Sequence, residues 1–249
     1  MNQQEICPNI WHGEEDYRVY CTLVQGTRRS ILWDTGQGKQ DLNQWVRAHG
    51  GGTEVLVLNS HGHTDHIGGN HRFSAVRANR ADWPLIQAHA RLTGGGLPAF
   101  CLEDLEPGQT FDLGGYHVRV VSMAGHTRGS VGLLVVEARL LLAGDGLNAT
   151  LLLLGEESAS FAVLQRTLSA VKTLPFDRYL TSHAPCPLGR EQVEVHLRHL
   201  KHLRRECPTL SGGPYGPDVC RSVWKEPAGR SVFYFERRRW TEWRQGETE

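Results

Sequence analysis

The chain has 249 residues, 27 Lys plus Arg against 27 Asp plus Glu, and 39% hydrophobic residues. That is globular composition with room for a substantial core, which excludes a disordered chain, and zero formal charge argues against a protein that works by gripping nucleic-acid phosphates. No apolar run reaches the roughly 18 residues of a membrane span. The polar start Met1-Asn2-Gln3-Gln4 lacks the basic and apolar regions of a secretion signal. A cytoplasmic protein with neither nucleic-acid nor membrane partner is expected. The six cysteines form no CxxC pair and are expected to be reduced thiols.

In chain order, short strands are predicted at residues 20–24 and 31–33, the second closed by Asp34-Thr35-Gly36. Trp11, His12 and Tyr17 precede the first of them. Asp41 is placed to cap a helix with Leu42, Trp45 and Val46 on one face, stopped by Gly50-Gly51-Gly52. The apolar run 55–58 reads as a strand buried on both sides, and another strand follows near 74–77. Asp82 reads as the N-cap of a helix with Pro84 in its first turn. Residues 93–98 are glycine-rich and suit either a mobile loop beside a site or a plain connection.

Strands return at 110–113, 117–121, 131–136 and 140–143, paired as hairpins through Gly114-Gly115 and Glu137-Ala138-Arg139. Phe161, Leu164, Leu168 and Val171 share one helical face; Val193, Leu197, Leu200 and Leu203 share another. A strand at 179–181 lies between them. A Gly/Pro-rich stretch, 211–218, leads to a hairpin at 222–225 and 231–235. These elements form a domain over residues 1–210, and the tail 211–249 packs on it. Trp224, Trp240 and Trp243 are expected to pack that tail or to serve a homodimer interface. The basic run Arg237-Arg238-Arg239 reads as a solvated tail end, and the stripe His196, His199, His202 as a solvated helix face.

Residues 58–69 read LNSHGHTDHIGG, directly after the buried strand. His61, His63, Asp65 and His66 thus crowd into the region where α/β folds place their chemistry. Imidazole nitrogen and carboxylate oxygen are ligands that Zn²⁺ and similar ions accept. Gly62, Gly68 and Gly69 let the backbone bend tightly. His126 in MAGHTRGS, Asp145 in LLAGDG and His183 in LTSHAP each end a predicted strand. Five His and two Asp suffice for two metal ions.

The ordered series HxHxDH, GHT, GD and SHAP resembles that of the metallo-β-lactamase-fold hydrolases, over most of the chain. The likeness is strongest to the binuclear branch with glyoxalase II and the lactonases. The resemblance implies an α+β fold, a four-layer αβ/βα sandwich. It implies two divalent ions per chain, zinc before manganese or iron. His61, His63 and His126 would hold the first, and Asp65, His66 and His183 the second, with Asp145 bridging and Asp34 supporting the loop. A hydroxide shared by the ions would attack a small ester, lactone or thioester, with Asp65 orienting it or moving its proton. Alternatives are an iron-dependent oxidase or dioxygenase on the same fold, or a phosphodiesterase. The strand-like tail departs from the helical glutathione-binding region of glyoxalase II. Arg128 and Asn148 are candidate contacts for a small-molecule substrate, and Cys186 reads as a bystander thiol.

Overall fold

The structure, a computed structural model, describes residues 1–49, 52–94, 100–205, 209–210 and 215–246. A first sheet holds β1 (Asn2–Cys7), β2 (Ile10–Asp16), β3 (Val19–Val24), β4 (Arg29–Trp33), β5 (Glu54–Leu58), β6 (Ala75–Ala78) and β7 (Cys101–Asp104), side by side in that order. β1 to β4 form an antiparallel meander, and β4 to β7 are parallel. The parallel connections carry α1 (Leu42–His49), α2 (Thr64–Ile67) and α3 (Trp83–Gly94). Asp41 caps α1 as expected, its Oδ1 accepting from the Gln44 amide at 3.1 Å. Gly50 and Gly51 of the expected stop lie outside the described residues, as do positions 95–98 of the glycine-rich segment, whose first two residues end α3.

A second sheet holds β8 (Thr110–Asp112), β9 (His117–Ser122), β10 (Val131–Val135), β11 (Leu140–Leu142), β13 (Arg178–Leu180) and β14 (Leu188–Gly189), in the order β14-β13-β11-β10-β9-β8. A third sheet, β12-β17-β16-β15, joins β12 (Thr150–Leu153) to β15 (Thr209–Leu210), β16 (Val219–Glu226) and β17 (Gly229–Glu236). The remaining helices are α4 (Phe161–Lys172), α5 (Glu191–Leu203) and α6 (Arg237–Gln245).

Alternation along the strands sorts the core into layers. Leu133, Val135, Leu140 and Leu142 pack with Ile31, Trp33, Leu56 and Leu58 between the first two sheets. Leu134 and Leu141 point the other way, onto Leu164 and Leu168 of α4 and Val193 and Leu200 of α5. On the far side, Leu32 and Val57 pack against Leu42, Trp45 and Val46 of α1. The result is the expected sandwich of helix, sheet, sheet and helix. The third sheet is added beside α4 and α5 through Phe233 and Phe235.

Four expectations need correction. Trp11 and His12 precede the strand expected at 20–24, which is β3, but are not in a connection: they lie within a further strand, β2. Trp11 packs on the α1 side, its ring 4.5 Å from that of His49. Arg237-Arg238-Arg239 open α6, and Arg239 is buried, donating to Glu236 and to the Ser158 carbonyl. Gly68 and Gly69 have right-handed backbones and make no special bend. They are needed for close approach, since a Cβ on Gly68 would stand 2.4 Å from the Gln37 carbonyl carbon and one on Gly69 2.6 Å from the Thr35 oxygen.

The fourth concerns His196 and His199, which are buried rather than solvated. Both stack on Phe233, and their Nδ1 atoms lie 2.8 and 2.7 Å from the Ser231 hydroxyl. Burial lowers His196 to about 4 and His199 to about 3, the latter helped by neighbouring imidazoles. An unfolded imidazole titrates near 6.5, so below about pH 6.5 the unfolded chain takes up protons that the folded chain refuses. This contribution is complete above that pH and is lost as pH falls toward 3. His199→Gln retains polar partners for Ser231 and Ser222 without the titration. In urea denaturation between about pH 6 and 4, it should reduce the loss of stability by up to about 1.4 kcal/mol per pH unit. An unchanged slope would show that His199 is not the titrating group.

Candidate metal centre

All seven sequence-selected residues meet at one end of the two-sheet sandwich. His61 and His63 follow β5, Asp65 and His66 lie in α2, His126 joins β9 to β10, Asp145 follows β11, and His183 follows β13. Parallel strands β4 and β5, and β11 and β13, end there together. Gly144 just before Asp145 has φ +52°, and a Cβ on it would stand 2.6 Å from Ser60 Cβ. Glycine is therefore required where the Asp145 turn passes the His61 loop.

Hydrogen bonds fix four of the five imidazoles. His126 Nδ1 donates to the Leu152 carbonyl at 2.7 Å, and His183 Nδ1 to the Arg18 carbonyl at 3.2 Å. His66 Nδ1 donates to Asp34 Oδ2 at 2.9 Å. The Ser60 hydroxyl gives its proton to Asp34 Oδ2, so at 2.9 Å it accepts from His61 Nδ1. A carbonyl or carboxylate can only accept, so the proton sits on Nδ1 whenever the ring is neutral. Each Nε2 lone pair then points into the cluster, the arrangement typical of metal-ligating histidines.

Those nitrogens form two groups. His63 Nδ1 lies 3.0 Å from His61 Nε2 and 2.8 Å from His126 Nε2. His183 Nε2 lies 3.5 Å from Asp65 Oδ2, and His66 Nε2 lies 3.6 Å from the same oxygen. Asp145 stands between the groups. Its Oδ1 is 3.6 Å from His66 Nε2 and 3.3 Å from His183 Nε2, while its Oδ2 is 3.7 Å from His126 Nε2. His66 Nε2 and Asp145 Oδ1 are buried without a hydrogen-bond partner. Two facing orphan acceptors are costly unless a cation or proton lies between them. The donor set therefore fits divalent metal.

The electrostatics agree. Burial, followed by the neighbouring imidazoles, holds His61 well below the usual range and lowers His63 to about 3, so both are neutral ligands at physiological pH. Burial also opposes charge on His66, but Asp145, Asp34 and Asp65 outweigh it and raise that group. At Asp145 burial favours the neutral acid. His66, His183 and His126 reverse this and hold the carboxyl well below its ordinary value. The field that draws positive charge to this point also draws a metal ion.

Arg128 is exposed on the turn after His126, its amide donating to the Glu157 carbonyl at 2.7 Å; Asn148 is half-buried three residues beyond Asp145. Tyr17 is 87% exposed in the β2–β3 turn, beside Arg18, whose carbonyl holds His183. His12 is buried behind the site, its Nε2 donating to the Ala184 carbonyl at 3.0 Å. Cys186 is an exposed free thiol.

Sequence reasoning missed Ser60, Ser182, Asp82 and Glu157. Ser60 and Ser182 both donate to Asp34 Oδ2, at 2.8 and 3.0 Å. A signal existed: each immediately precedes a candidate ligand, in NSHGH and TSHAP. Glu157 lies 3.9 Å from the outer nitrogen of His63, and nothing in its local sequence marks it. Asp82 directly precedes α3 at the end of a 3₁₀ turn, Arg80–Asp82, but its side chain bonds Gly62, Thr127 and Gly129 on the loops that carry candidate ligands.

Residues 15–183 match the family model of the metallo-beta-lactamase superfamily. With more than half the chain matched, and this fold and cluster, the chain belongs to that superfamily. It is 28% identical over 170 residues to the acyl-coenzyme A thioesterase MBLAC2 of Gallus gallus, covering 55% of this chain and 61% of that one. It is 30% identical over 132 residues to the hydroxyacylglutathione hydrolase of Ectopseudomonas mendocina, covering 52% and 48%. The chain thus spans only half to three fifths of these relatives. A metallo-beta-lactamase from Pontibacter korlensis shares the fold, with TM-score 0.61 and 18% identity over 80% of this chain and 98% of that one. Among the described residues, no helix is long and apolar enough to cross a membrane.

Proposed function

We propose that the chain is a binuclear metal-dependent hydrolase of small acyl compounds, with thioesters ahead of esters and lactones. The observation that carries the binuclear reading is Asp145, one oxygen facing His66 and His183 and the other facing His126. His61, His63 and His126 would hold one ion, and Asp65, His66 and His183 the other, with zinc first among the candidate metals. Thioesters come first because an acyl-coenzyme A thioesterase and a hydroxyacylglutathione hydrolase are among the relatives.

Bound divalent ions supply Lewis acidity to the substrate carbonyl and bring the pKa of water toward neutrality. The chain does the rest. Neutral His61 and His63 keep their lone pairs in the site, and Asp34 fixes the His66 ring through Nδ1. Asp65, whose side chain is 32% exposed, presents a carboxylate oxygen to the open side, where it takes a proton from the attacking water. The exposed guanidinium of Arg128 and the amide of Asn148 serve as contacts for the leaving group or acyl oxygen.

The test is a panel of S-acyl thioesters, esters, lactones and phosphodiesters, assayed with zinc-loaded protein. Thioester turnover should vanish with a chelator and fall about 100-fold or more in Asp65→Asn, as expected for loss of a positioned proton acceptor. Turnover that survives chelation would contradict the proposal. Phosphodiester turnover without acyl turnover would replace it.

A further inference from the structure

The residue between the two leading histidines is held at both of its backbone groups. Gly62 N–H donates to Asp82 Oδ2 at 3.0 Å, and the Gly62 carbonyl accepts from His89 Nδ1 at 2.8 Å. Asp82 comes from the 3₁₀ turn before α3 and His89 from α3 itself. Asp82 also reaches the loop that carries His126. Its Oδ2 accepts from the Thr127 hydroxyl at 2.7 Å, and its Oδ1 accepts from the Gly129 amide at 2.8 Å.

Every donor around this carboxylate is accounted for. Thr127 Oγ1 spends its single proton on Asp82, so at 2.7 Å it accepts from Ser130 Oγ, which itself accepts from the Thr127 amide at 3.1 Å. Asp82 is 2% exposed. It approaches the second loop so closely that a Cβ on Gly129 would stand 2.5 Å from its Oδ1. None of these bonds extends to Asp65, His66 or His183. That group is braced by Asp34, through His66 Nδ1 and Ser182, and Asp34 also reaches His61 through Ser60, so Asp82 is specific to the first group whereas Asp34 serves both.

We propose that Asp82 is a positioning residue that sets the spacing between the His61–His63 loop and the His126 loop. It thereby determines how tightly one of the two metal groups, and not the other, holds its ion. The inference rests on the two-ion reading above. A buried carboxylate suits the task because two oxygens can accept from three rigid donors on two separate loops, and removing it leaves all three unpaired.

The experiment measures zinc binding by the full chain in competition with a chromophoric chelator, alongside cobalt absorption spectra of the same variants. Asp82→Ala should weaken one of the two ions by about 10- to 100-fold, the usual cost of losing a partner behind the ligands. The other ion should keep its wild-type affinity. Thr127→Val deletes a single donor and, if Asp82→Ala does not fold, carries the test alone, with a smaller loss at the same ion. A merely structural role would lower thermal stability without separating the two affinities. Equal weakening of both ions, or wild-type affinities in these variants, would overturn the proposal while leaving the two-ion reading in place. Wild-type protein that binds no zinc would overturn the reading itself.

Discussion

Asp34→Ala should lose about 3 to 5 kcal/mol of folding free energy, the cost of breaking a buried ion pair from one side. It should also weaken metal binding about 10- to 100-fold. Asp34 is 0% exposed and sits under the whole site. It accepts from the Ser60 amide at 2.7 Å, the Ser60 hydroxyl at 2.8 Å, His66 Nδ1 at 2.9 Å and the Ser182 hydroxyl at 3.0 Å. Alanine would strand four donors in a dry interior. It would also have to adopt φ near +60°, which Asp tolerates better than Ala. Urea denaturation compared with Asp34→Asn gives the number. Asparagine keeps one acceptor oxygen, so its loss should be smaller. An Asp34→Ala protein within about 1 kcal/mol of wild type would show that the four bonds are not what holds the site together.

Asp145→Asn should reduce thioester hydrolysis about 1000-fold, equivalent to about 4 kcal/mol at the transition state. The amide keeps the shape but has only one acceptor oxygen. It presents an NH₂ either to His126 or to the His66 and His183 pair. It also removes the negative charge that faces those three imidazoles. The protein should remain folded, because the apolar packing of Leu141, Ala143 and Leu147 around this turn is untouched. Activity within about tenfold of wild type would show that Asp145 does not link the two groups.

The seven candidate ligands could be picked out because their chemistry is local. Imidazoles and carboxylates two or three residues apart, or at the ends of apolar runs, stand out in one dimension. The layered core was legible for a similar reason. Runs such as 131–135 and 140–142 are apolar on both faces, and the α1 and α4 stripes repeat at helical spacing. What stayed hidden depends on long-range partners. β1 is polar and almost wholly exposed, an edge strand whose only sequence-level merit is pairing with β2. β12 was missed because its strand character comes from β17, about 80 residues later. His196 and His199 look solvated by spacing alone; partners distant in sequence, the Ser222, Ser231 and Phe233 side chains of the hairpin among them, make burial tolerable. Asp82 has the same sequence context as an ordinary helix cap, and its role appears only when Gly62 and Gly129 are brought to it.

The central claim is that one carboxylate joins two metal-holding groups, and elemental analysis of metal per chain tests it most directly. Wild-type protein loaded with zinc and passed through a desalting column should retain about two ions per chain. Asp145→Asn treated in the same way should retain fewer. A wild-type chain that holds only one ion, or an Asp145→Asn chain that holds as many as wild type, would contradict the account.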